Sequence, residues 1–148
     1  VPSQLPLDML IGLAKESTDD AARELGRLSA QRANAEQQLN MLYEYRHDYL
    51  KRLQDAMVAG MPAADCHNYQ RFIGTLDDAI SQQANVLHSA DMQLMQGRLH
   101  WQQQKRKLNS FDTLAQRDAR SRALIETRRE QRANDEISAR LASRRASL

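Results

Sequence analysis

The chain has 148 residues, with 5 Gly, 3 Pro, 2 Phe and 1 Trp, and charged residues make up 27% of it. Ala, Gln, Leu, Arg, Glu and Asp dominate, which suits long helices and excludes a sheet-rich domain with a thick core. A net charge of +2 excludes a uniformly basic polyanion binder, and the 1 Cys excludes an intramolecular disulfide and argues against a thiolate zinc site.

Residues 1–6, VPSQLP, read as an extended lead-in, because two prolines in that stretch forbid a helix before Pro6 or Leu7. A first helix is predicted over 7–59, with Asp8 near its N-terminus, where the helix dipole favours an acid. From Ile11 a seam recurs at alternating steps of three and four: Ile11, Ala14, Thr18, Ala21, Leu25, Leu28, and on to Leu53 and Ala56. That spacing is the heptad pattern of helices supercoiled about a partner. Arg32 and Arg46 occupy two seam positions, so each must snorkel, find an acid or mark a loose spot.

The chain reverses at 60–64. Gly60 can take positive φ and end a helix, Pro62 cannot continue one, and Asp65 can cap the next. A second helix is predicted over 65–116, with the same alternation from Tyr69, Ile73 and Leu76 through Trp101 and Leu108 to Ala115. If the turn centres near residue 61 or 62, residues facing each other across the seam have numbers that add to about 123. Ile11 then faces Phe111, and the second helix loses its partner near residue 116, where its seam turns polar. The paired part is expected to be about 75 Å long at 1.5 Å per residue. The same rule sets Gly26 opposite Gly97, beside Trp101. Residues 117–148 form an overhang with nine Arg and five acids, either a single helix or disordered without a partner.

The fold class is therefore all-α: a long antiparallel two-helix coiled-coil hairpin with a C-terminal overhang. No apolar run approaches the roughly 18–20 residues of a membrane span and no signal peptide opens the chain, so a soluble cytoplasmic protein without direct membrane insertion is expected. The search for chemistry returns no catalytic, cofactor-binding or metal-ligating set. There is no phosphate-binding loop, HExxH or nucleophile elbow. His47, His67, His88 and His100 are scattered, and Cys66 beside His67 reads as an exposed polar pair near the turn. A thin hairpin also lacks an enclosed pocket, so an enzyme is not expected.

Binding is the alternative. The Arg-rich overhang reads as a solvated helix surface, a nucleic-acid contact, or a segment that enters an acidic site on a protein partner. Tyr49 and Tyr69 fall on the seam, whereas Tyr43 and Tyr45 do not. Phe72 stands beside the seam, followed by Leu76 and Ala79; this stripe is a widened core or an exposed docking patch.

The blocks LAKESTDDAARELG, MLYEYRHDYLKRLQDAMVAGM and NYQRFIGTLDDAI, with the Arg-rich tail, resemble the flagellar export protein FliJ family along most of the chain. The resemblance implies a non-enzymatic cytoplasmic component of the flagellar type III export apparatus, held peripherally at the inner membrane through that apparatus. It implies a coiled coil similar to the stalk subunit of rotary ATPases, seated in the hexameric ring of a FliI-type export ATPase. It further implies contact with the cytoplasmic linker of a FlhA-type export gate and with flagellar substrate chaperones, and no nucleic-acid partner. The gate-binding patch of the family corresponds to Phe72, Leu76 and Ala79; at the next patch position this chain has Gln83 where relatives carry His. By analogy with rotary stalks, the ring-binding residues are Arg23, Arg27, Arg120, Arg122, Arg128 and Arg129. Alternatives are the stalk of a virulence-type secretion system and a basic coiled coil that binds nucleic acid.

Overall fold

The computed structural model describes residues 4–147, which form two α-helices with no strand among them. Helix α1 spans Gln4–Ala59 (56 residues) and α2 spans Ala63–Ala146 (84 residues). The start of α1 corrects the expected extended lead-in over 1–6. Pro6 lies within the first turn, where backbone N–H groups have no intrahelical acceptor, so its missing N–H costs nothing. Residues 1–3 of that lead-in lie outside the described residues.

The reversal is short. Gly60 has φ +90°, a conformation that penalises any side chain, and its N–H donates to the Met57 carbonyl at 3.3 Å. The Pro62 carbonyl then accepts from the N–H groups of both Asp65 and Cys66 at 3.1 Å. Pro62 thus stands at the cap position, and α2 begins two residues ahead of Asp65. Asp65 sits in the first turn, where its charge complements the exposed N–H groups of the helix.

The chain divides into two compact units. One is Thr18–Gln103; the other joins the chain up to Ser17 with the chain from Gln104 onward.

Thr18–Gln103 is an antiparallel helical hairpin. Thr18, Ala21, Leu28, Ala35, Leu39 and Leu53 of α1 are buried, as are Leu76 and Leu94 of α2. The remaining seam positions of this unit are half-buried, Arg32, Arg46, Gln83 and Trp101 included. Burying a leucine stabilises by roughly 1.5–3 kcal/mol, so these contacts are the main driving force for zipping the helices. Both seam arginines find an acid across the interface. Arg32 Nε donates to Asp91 Oδ1 at 2.5 Å, with Nη1 on Glu36 at 2.9 Å, and Arg46 Nε donates to Asp77 Oδ1 at 2.6 Å. The numbers in each cross-helix pair add to 123, the register deduced from the turn. Between them, Gln83 Nε2 donates to the Ala35 carbonyl at 3.1 Å.

The pairing of Gly26 with Gly97 does not occur. A Cβ on Gly97 would lie 2.7 Å from Leu28 Cδ1 and 3.7 Å from Leu25 Cδ1, whereas one on Gly26 meets nothing within 4 Å. Gly26 follows Leu25 by one residue, and that step of about 100° turns it off the seam.

In the other unit, Ala14 and Leu108 are buried and Ile11, Phe111 and Ala115 are half-buried. Asp118 and Arg122 are the last partly covered seam positions, and they pair with each other at 2.5 Å along α2. Every residue from 123 to 147 is exposed, yet α2 stays helical to Ala146. The Ala, Arg, Glu and Leu content of this stretch gives it high helix propensity of its own.

Candidate partner-docking surfaces

Near the turn the seam is aromatic. The Tyr49 ring lies 4.4 Å from that of Phe72 and 6.4 Å from that of Tyr69, measured between centroids, and both pairs are tilted. Tilted pairs set a positive ring edge against a negative ring face. The Arg52 guanidinium carbon stands 5.2 Å from the Tyr49 ring centroid, a cation–π contact that fixes the ring from α1. Phe72 is held against Tyr49 on one side and remains 41% exposed on the other.

The three patch residues therefore differ. Phe72 faces solvent in part and Ala79 is half-buried, but Leu76 is only 8% exposed and belongs to the seam. Phe72 and Ala79 each sit one residue before a seam position (Ile73 and Ile80), on one flank of α2. Leu76 is itself a seam position and turns toward α1. Gln83 spends its amide on the Ala35 carbonyl and is half-buried, so it too serves the helix pair.

The ring-binding candidates fall in both units. Arg23 and Arg27, in Thr18–Gln103, already pair with acids one turn earlier: Arg23 with Asp20 at 2.5 Å and Arg27 with Glu24 at 2.5 Å. The hydrogen bond from Arg27 holds the Glu24 carboxyl below its ordinary pKa, and the same bond raises that of Arg27. In the other unit Arg120, Arg128 and Arg129 are exposed, whereas Arg122 is tied to Asp118.

Among the described residues no group of three or more His, Cys, Asp or Glu side chains is placed to hold a metal ion, and no helix is long and apolar enough to cross a membrane. The grooves along the helices are open and shallow.

The family described as "Flagellar FliJ protein" matches residues 3–147 of this chain. This chain belongs to the flagellar FliJ family. The Flagellar FliJ protein of Escherichia coli (strain K12) is 34% identical over 139 residues, which cover 94% of this chain and 95% of that protein. The Flagellar FliJ protein of Salmonella typhi matches to the same extent, 34% over 139 residues. FliJ membership places the chain among the components of flagellar protein export and flagellum biogenesis. It also gives the two-helix architecture a family context, since the match runs through both helices and the turn.

Sequence reasoning placed Phe72 beside the seam but missed the Tyr49–Phe72 contact and the Arg52 cation behind it. The signal was available: the numbers of Tyr49 and Phe72 add to nearly 123, and Arg52 follows Tyr49 by three residues, one helical turn. It also passed over Val58, 90% exposed at the end of α1.

Proposed function

We propose that the chain is a non-enzymatic adaptor on the cytoplasmic side of the flagellar export apparatus, peripheral to the inner membrane, that engages a FliI-type export ATPase and a FlhA-type export gate. The observation that carries this reading is the end of α2: a helix rich in arginine whose residues 123–147 are all exposed among the described residues. An exposed helix with an excess of arginine suits an acidic cleft on a protein partner. Arg120, Arg128 and Arg129 are the ring contacts of this reading, with Arg23 and Arg27 as a second set and Arg122 as a weaker member because Asp118 already holds it. The gate contact falls to Phe72 and Ala79, with Leu76 supporting Phe72 from within. Binding of flagellar substrate chaperones belongs to the same reading.

The test is ATP hydrolysis by the purified FliI-type ATPase with and without this protein. The intact chain raises turnover, and Arg120→Glu/Arg128→Glu/Arg129→Glu abolishes the increase without changing helicity. Full stimulation by the charge-reversed chain would remove the tail from the ring contact. In a parallel binding assay with the gate, Phe72→Ala weakens binding.

A further inference from the structure

The large apolar contacts of the Thr18–Gln103 hairpin gather toward its two ends. At one end Leu28 lies so close over Gly97 that a Cβ there would stand 2.7 Å from Leu28 Cδ1, with Leu25 Cδ1 at 3.7 Å. Leu94 is buried at the same level. At the other end, near the turn, Leu53 and Leu76 are buried and the Tyr49 ring packs against Tyr69 and Phe72.

Between these ends the seam changes character. No residue from 77 to 93 on α2 is buried, and of residues 29–52 on α1 only Ala35 and Leu39 are. Cross-helix polar links stand where leucines would: Arg32 on Asp91, Arg46 on Asp77, and the Gln83 amide on the Ala35 carbonyl. Ala35 and Ala90 are too short to fill the space between the helices, and they line an open groove of about 480 Å³ together with Gln31, Gln38, Asn85, Ser89 and others, none of them charged.

We infer that this stretch is a joint built into the hairpin: the helices part locally at residues 31–38 and 83–93 while both ends stay zipped. The cost of parting rises with the apolar area it exposes to water. At either end that area includes buried leucines. In the middle it is mainly the methyl of Ala35 and half-buried Leu87. The polar links lose little, because a half-exposed ion pair and a side-chain amide both find water as a substitute. Helical hydrogen bonds run within each helix, so parting does not itself unfold either one. A stretch deprived of its neighbour is nevertheless marginal as a helix, and its amides then exchange with solvent through brief fraying. The joint lets the two ends of the unit change direction relative to each other without unzipping, whatever those ends bind.

The experiment is native-state hydrogen–deuterium exchange on the full chain, with peptide protection corrected for intrinsic rates. Protection over 31–38 and 83–93 is expected to be about tenfold or more below that over 21–28 and 94–101, and below that over 49–56 and 69–76. Gln83→Leu sets a leucine at the seam in place of a polar link. It raises protection in both middle windows by about fivefold and leaves the end windows within about twofold. Equal protection in the middle and at the ends of the wild-type chain overturns the joint. Fast exchange over 83–93 with 31–38 fully protected also overturns it, because α2 then frays alone. A rise spread evenly over all windows in Gln83→Leu means that the hairpin opens only as a whole, and the joint falls.

Discussion

A methyl group at Gly97 meets Leu28 Cδ1 at 2.7 Å, and one at Gly26 meets open space. Both glycines are mid-helix, where glycine costs about 1 kcal/mol relative to alanine. Gly26→Ala therefore stabilises by about 1 kcal/mol, seen as a higher melting temperature. Gly97→Ala loses that gain to crowding against Leu28 and melts below Gly26→Ala; equal melting of the two would show that Leu28 moves aside freely. The same reasoning separates the patch residues. Leu76→Ala opens a space in the seam and costs about 2–3 kcal/mol. Phe72→Ala loses mainly its ring contact with Tyr49, about 1 kcal/mol. Denaturant midpoints rank the two, and a milder effect at Leu76 would return it to the surface. Phe72 is thus the substitution that probes docking with least damage to the fold.

Along the helices, stability comes from apolar seam residues interrupted by a polar stretch. Arg32–Asp91 and Arg46–Asp77 are half-exposed pairs, so each adds little to stability and weakens with salt. A double-mutant cycle on Arg32 and Asp91 should return a small favourable coupling at low ionic strength that shrinks as salt is added. Coupling near zero would make the pair incidental to register. Glu24 provides a titratable check on the local helix pairs. Its carboxyl pKa is lowered in the folded chain by the hydrogen bond from Arg27. The contribution of that pair is accordingly present above the ordinary glutamate value and is lost as pH falls through the lower folded value. An NMR titration of Glu24 should show the depressed midpoint, and Arg27→Gln should restore the ordinary one. Identical midpoints in both chains would mean the pair does not persist in solution.

For the molecule taken whole, the exposed end of α2 is the test of what stability and function each require. Every residue from 123 to 147 is exposed, so ending the chain after Arg122 removes helix without removing any buried residue of the described chain. Melting of the remainder should change by about 0.5 kcal/mol or less, while stimulation of the export ATPase is lost. A large drop in melting temperature would mean the tail packs on the rest in solution. The cut falls after Arg122, because Asp118 and Arg122 are still half-buried.

Periodicity and turn chemistry made most of the architecture legible before any coordinates. Steps of three and four from Ile11 to Ala115 named the positions that the helices cover, because a helix returns the same face to its neighbour every 3.6 residues. Gly60 and Pro62 marked the reversal, because one accepts positive φ and the other cannot extend a helix. Those are local properties, carried by each residue and its near neighbours. Packing settled the rest: that Leu76 turns inward while Phe72 leans on Tyr49, and that Arg32 and Arg46 meet Asp91 and Asp77. These depend on which side of α2 meets α1, and a rotation of about 100° exchanges a seam residue for its neighbour. No single-helix pattern contains that angle; it exists only once two helices have been brought together.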